Sequence, residues 1–211
     1  DQVADQEFAA PRPVAADYTS EPTTGDLNEL VCISHSAVFT PGMKGVEPDA
    51  RLLNLKTGEL RRIPFEGIMA GSGCFTQDRL HLIVAGGPAE GGTMGLYDVN
   101  LRTGVNRTLG GALLATGFTL FPTLSHDGKT VAVLHTNPAS GPVLQGQVVL
   151  VDLASGEARP LGKPLDTAFI SWLPEDKGLL LVQRESVDKS KPSIATISCM
   201  DLQGQLTPIR K

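Results

Sequence analysis

Short apolar runs alternating with polar residues dominate the chain, as in "TVAVLH" (130–135), "LHLIVAG" (80–86) and "VVLVD" (148–152). A period of two predicts β-strands, and helical periodicity is nowhere sustained. The runs are punctuated by turn residues in a fixed order. One element is a turn around an aspartate followed by an alternating strand. It reads "SHDGKTVAVLH" around Asp127, "PEDKGLLLVQR" around Asp176, "TQDRLHLIVAG" around Asp78 and, more weakly, "TGDLNELVCIS" around Asp26. The other is a strand, a Gly-centred turn and a second strand: "LLNLKTGELRRI", "LYDVNLRTGVNRTL", "LVDLASGEARPL" and "CMDLQGQLTPI".

The two elements interleave as Asp26, Gly58, Asp78, Gly104, Asp127, Gly156, Asp176 and Gly204. The aspartates are 52, 49 and 49 residues apart and the glycines 46, 52 and 48. Each unit therefore reads as two hairpins, or four short antiparallel strands. A four-stranded unit repeating at about 50 residues predicts an all-β fold, a β-propeller of about four blades. A two-sheet sandwich is the alternative, and it leaves the repeated order of turns unexplained. The units are expected at 20–65, 66–110, 111–162 and 163–211, after a flexible, acidic, Pro/Ala-rich tail at 1–19.

"FPTLSHDGKTVAVLH" resembles the repeat of TolB-type β-propellers, with its Pro-x-x-Ser-x-Asp-Gly-Lys stretch ahead of a hydrophobic strand. "VVLVDLASGEARPL" is similar to the strand that follows in such repeats. The resemblance covers the chain from about residue 20 onward and is specific for fold rather than function. It implies an envelope or extracellular (periplasmic or secreted) setting and protein partners. TolB-type propellers usually have six or more blades, whereas this chain supplies four units. Three arrangements stay open: a four-bladed ring, part of a larger propeller, or a half completed by a second chain.

Composition narrows the partners. A net charge of -5 argues against nucleic acid, which needs a basic face. No apolar run approaches the ~18 residues of a helical membrane span. Cys32, Cys74 and Cys199 have no metal-type spacing and apolar neighbours, so they are expected as buried free thiols.

Candidate chemistry is thin. Ser125-His126-Asp127 has the residue types of a hydrolase triad, but consecutive residues of an extended segment point to opposite faces. The equivalent corners read Thr76-Gln77-Asp78 and Pro174-Glu175-Asp176, so only the aspartate recurs and the stretch is expected to be a turn. "GSGC" (71–74) lacks the spacing of a nucleophile elbow, and "AGGPAEGGT" (85–93) lacks the Lys-Ser/Thr of a phosphate loop. The scattered histidines form no metal motif, and no catalytic residue, metal or cofactor is expected. Asn106-Arg107-Thr108 is a formal glycosylation sequon, read as coincidence.

In a propeller the tight Asp and Gly corners lie on one face. The second-to-third-strand loops lie on the other, and here they are long: 40–49, 86–92, 136–146 and 185–193. That face is the expected binding face. Counting eight residues from each corner aspartate brings Ser34, Gly86, His135 and Arg184 to it, with His35 beside Ser34 and the loops adding Lys44 and Asn137. Trp172, Phe169, Phe118 and Phe121 are expected to pack between blades. The favoured function is a non-catalytic binding or scaffold module that presents this face to a protein or peptide. The alternative is the propeller part or subunit of a larger enzyme, a hydrolase or cofactor-bearing dehydrogenase. A small enzyme using His135 and Arg184 is the third reading.

Overall fold

The computed structural model describes residues 29–33, 50–54, 57–63, 68–88, 92–136, 145–185 and 194–210. The tail at 1–19 lies outside them. Fourteen strands account for most of the described residues, and two one-turn 3₁₀ segments, Gly111–Leu113 and Pro174–Asp176, are their only helical pieces.

The strands are β1 (Glu29–Ile33), β2 (Ala50–Asn54), β3 (Leu60–Arg62), β4 (Ile68–Phe75), β5 (His81–Pro88), β6 (Gly95–Asn100) and β7 (Asn106–Leu109). They continue as β8 (Phe118–Leu124), β9 (Thr130–Thr136), β10 (Gln145–Asp152), β11 (Ala158–Trp172), β12 (Gly178–Glu185), β13 (Ile194–Asp201) and β14 (Leu206–Arg210). Within each sheet every strand pairs antiparallel with its neighbours in sequence, giving the orders β1-β2-β3, β4-β5-β6-β7 and β8 through β14. The seven-stranded sheet is two units joined through β11. Its residues 158–166 pair with β10 as a fourth strand, and residues 167–172 pair with β12 as the next unit's first strand. The architecture is that of consecutive propeller blades, three four-stranded and one with three described strands.

The core lies between the units. In β5, six consecutive residues, Leu82–Gly87, are buried, because both faces of the strand are covered. Ile83, Leu96, Leu109 and Leu114 of the second unit meet Val131, Val133, Val149 and Val151 of the third. Ala132, Val148, Leu150 and Leu161 of the third meet Ile170, Leu179, Leu181 and Met200 of the fourth. Odd and even positions of β9 and β10 thus face different neighbours. The "VAV" and "VVLV" runs are apolar throughout for that reason. Each fully buried side chain contributes about 1.5–3 kcal/mol.

The second hairpins of the second, third and fourth units turn in one way. Asn100, Asp152 and Asp201 accept backbone N–H groups two to four residues ahead, such as Thr103 N (3.0 Å), Ser155 N (2.7 Å) and Gln205 N (2.8 Å). Gly104, Gly156 and Gly204 then take φ of 76°, 75° and 84°.

Two aromatic expectations need correction. Trp172 packs between units, and its indole Nε1 donates to Thr123 O across them (2.9 Å). Phe121 and Phe169 instead face outward, 41% and 50% exposed. The ladder is broken between Leu120 and Thr123, and Phe121 there has φ 53°, which turns it off the packed face. A matching break falls between Thr167 and Phe169. Cys74 and Cys199 are free and half-buried, and burial pushes the Cys74 thiol up to about 12, an unreactive state. The side chain of Cys32 lies outside the described residues.

Candidate functional site

The corners between first and second strands come first, because the Ser-His-Asp succession sits in one. Ser125 N donates to Thr130 O (2.8 Å) and Gly128 N to Ser125 O (3.0 Å), closing a tight turn. Ser125 Oγ donates to Asp127 Oδ1 (2.7 Å), which also accepts Lys129 N (3.0 Å). The second unit repeats each bond: Thr76 N to His81 O, Arg79 N to Thr76 O, Thr76 Oγ1 to Asp78 Oδ1 and Leu80 N to Asp78 Oδ1. Arg79 (φ 55°) and Gly128 (φ 73°) hold the same left-handed position. The Ser125 hydroxyl is bound to the aspartate and the His126 ring points elsewhere, so no triad forms.

The fourth unit departs from this register. Its closing bond runs from Leu173 N to Gly178 O, which makes Leu173 the counterpart of Ser125 and Glu175 that of Asp127. Asp176, expected as the turn aspartate, instead holds the left-handed position of Gly128, with φ 53°. Its carboxylate serves the neighbouring corner. Asp176 Oδ1 accepts His126 N (2.8 Å) and His126 Nδ1 (2.9 Å), and Oδ2 accepts Asp127 N (2.9 Å). Partial burial raises the Asp176 carboxyl, but these bonds outweigh it and hold the group below the usual carboxylate range.

Other polar groups at this end are occupied in the same way. The Gln77 amide donates to His126 O of the next unit. His81 Nδ1 donates to Asp98 Oδ1 (2.5 Å), and Asp98 Oδ2 accepts Arg107 (3.0 Å). Arg107 also donates to Leu153 O in the third unit's second hairpin (2.9 Å). The corner end is thus laced by bonds that join one unit to the next.

The expected binding residues that fall among the described ones, Gly86, His135 and Arg184, lie toward the opposite end. Gly86 lies in β5, buried, opposite Ala70 and Gly95. His135 lies in β9, 7% exposed, opposite Thr119 and Gln147. Arg184 is not their counterpart. With the fourth corner shifted by one, the equivalent residue is Gln183, opposite Thr167 and Thr196, while Arg184 pairs with Ala195. The side chain of Arg184, and all of Ser34, His35, Lys44 and Asn137, lie outside the described residues.

These rungs are small in the second unit and polar in the third and fourth. Thr119 Oγ1 and His135 Nδ1 are hydrogen-bonded at 3.2 Å. Burial lowers the pKa of His135, which favours the neutral imidazole. The Gln147 amide donates to Leu161 O (2.8 Å). Thr167 is 6% exposed, and its buried hydroxyl has no partner. Thr119, Gln147, Thr167 and Gln183 were not singled out from sequence. The signal was there: Thr119 and Thr167 each stand two residues before a phenylalanine, in "FTLF" and "DTAF". Among the described residues no group of three His, Cys, Asp or Glu could hold a metal, and no helix is long and apolar enough to cross a membrane.

No protein-family model and no curated protein matches the chain. Solved structures do. TolB from Acinetobacter baumannii is 20% identical with a TM-score of 0.61, over 85% of this chain and 39% of its own. A putative TolB from Agrobacterium tumefaciens is 12% identical with a TM-score of 0.61, over 77% of this chain and 55% of its own. The β-propeller domain of the Trilobed protease from Pyrococcus furiosus is 13% identical with a TM-score of 0.55, over 91% and 57%. The fold is that of TolB-type β-propellers, and the chain spans roughly half the length of these structures.

Proposed function

We propose that the chain is a non-catalytic β-propeller module that binds a protein or peptide on the face carrying the second-to-third-strand loops. The domain reading proposed with it is a tail at 1–19 and propeller units from residue 20 onward. The observation that carries it is the orphaned Thr167 hydroxyl beside Gln183. A buried hydroxyl without a partner is unfavourable, and a ligand group arriving at the strand ends would supply one. Among the described residues the corner end has no such unpartnered buried hydroxyl, since its polar groups bond within their own turns or to neighbouring units. The other unpartnered hydroxyl, Ser198, lies mid-strand opposite Leu181. A periplasmic or extracellular setting is proposed on the TolB resemblance alone.

The test is selection of peptides from a random library against the intact chain, followed by titration against variants. Thr167→Val and Gln183→Ala are expected to weaken the selected peptides about tenfold, one or two lost hydrogen bonds' worth. Lys129→Ala at the opposite end should leave them unchanged. Peptides indifferent to both loop-end changes would sink the proposal.

A second reading is that the units are the propeller part of a larger enzyme whose catalytic groups lie on another domain or chain. Similarity to the propeller domain of a protease favours it, as does the share of each structure that the chain spans. Mass spectrometry of the native assembly distinguishes it by finding a second, different polypeptide.

A further inference from the structure

We infer that the group captured between the third and fourth units is an uncharged carboxamide, the side chain of an asparagine or glutamine in the bound peptide. The inference rests on the binding reading above and names the chemistry of that same site. Thr167, Gln183 and Thr196 form one row across the first three strands of the fourth unit. Gln183 stands two residues beyond Leu181 and Thr196 four before Met200, and both of those side chains pack against the third unit. Strand alternation therefore turns the row toward that unit. Thr167 and Thr196 are 6% and 8% exposed, whereas Gln183 is half-buried, so the row meets solvent at its second strand.

The third unit has the same row, Thr119, His135 and Gln147, and closes it from within. Thr119 Oγ1 lies 3.2 Å from His135 Nδ1, and the Gln147 amide donates to Leu161 O (2.8 Å). In the fourth unit a glutamine stands in place of that histidine, and the Thr167 hydroxyl is left without a partner. One position is thus sealed in one unit and open in the next. None of Thr167, Gln183 and Thr196 ionises, and an ion buried among them would lack a countercharge within the row. The captured group must be neutral, and it must serve a hydroxyl and an amide together. A primary carboxamide carries an N–H and a carbonyl side by side on one edge, so it forms two bonds with the Gln183 amide. Its second N–H donates to Thr167 Oγ1. A trans peptide unit directs its N–H and carbonyl to opposite sides and cannot pair in this way.

The test follows the threonine methyl signals of the full chain by NMR during titration with propionamide, propionate and propylammonium. The Thr167 signal is identified by its loss in Thr167→Val. Propionamide is expected to shift it saturably, with a dissociation constant of about 1–10 mM for so small a probe. Both ions should bind at least ~10-fold more weakly. Gln183→His gives Thr167 the partner that Thr119 has in the third unit. That variant is expected to lose the propionamide shift while its melting temperature holds or rises. Equal binding of propionamide and propionate overturns the inference, as does a folded Gln183→His chain that still binds propionamide. Library peptides that depend on Thr167 yet carry no asparagine or glutamine overturn it too and leave the binding reading standing. Peptides indifferent to both Thr167→Val and Gln183→Ala overturn the two together.

Discussion

At the residue scale, Thr167 separates the demands of binding from those of folding. Its hydroxyl is buried and unpartnered, opposite Gln183 in the ladder. Valine has nearly the same shape without the polar group. Thr167→Val is therefore expected to raise stability by about 1 kcal/mol, read as a higher urea midpoint at unchanged slope. Weakened peptide binding in the same variant would show a residue kept polar at a cost to the fold. A loss of stability instead would mean that the hydroxyl has a partner. His135 makes the contrast, because its ring already has Thr119 and burial favours its neutral form.

At the scale of the element, two glycines in the same turn position have different surroundings. Gly156 and Gly204 both have left-handed φ, 75° and 84°. A Cβ on Gly156 would meet only a Leu109 methyl at 3.6 Å, whereas one on Gly204 would come within 2.3 Å of Gly162 N and 2.5 Å of Gly162 Cα. Gly156→Ala should lose about 1 kcal/mol, the conformational term alone. Gly204→Ala is expected to lose roughly 2–4 kcal/mol, since backbone must also move. Equal losses in denaturant melts would show that the Gly162–Gly204 approach does not constrain the fourth unit. The turn glycines and the Ser-x-Asp corner were readable from sequence because their hydrogen bonds are local. The fourth corner misled for a physical reason. Its aspartate keeps the 49-residue spacing from Asp127, but the turn is counted from Leu173, only 48 residues after Ser125. Counting from Asp176 then pointed to Arg184 rather than Gln183. The outward Phe121 and Phe169 were equally hidden, because a break in the ladder depends on the partner strand.

On the scale of the whole molecule, the main contacts of each described unit are with its neighbours, so stability rests on the interfaces and on the ties that span them. Asp176 is such a tie, binding two backbone N–H groups and the ring of His126 from the next corner. Asp78, Asp127 and Asp152 act within their own turns, and all four carboxyls are held below the usual range. A carboxyl depressed on folding contributes stability that is complete above its unfolded value of about 3.9 and disappears as pH falls through its folded value. The melting temperature is therefore expected to change little, on account of these groups, from neutral pH down to about 5, then to drop steeply below 4. Asp176→Asn keeps an acceptor but no charge, so it should lower the plateau and flatten the acid limb. Because Asp176 alone among the four ties one unit to another, its loss should also broaden the transition, as the fourth unit comes away before the third. Asp152→Asn, which removes a charge within a single hairpin, should lower the plateau while keeping the transition sharp. Melts that broaden equally in both variants would place the coupling between units in the apolar interface alone.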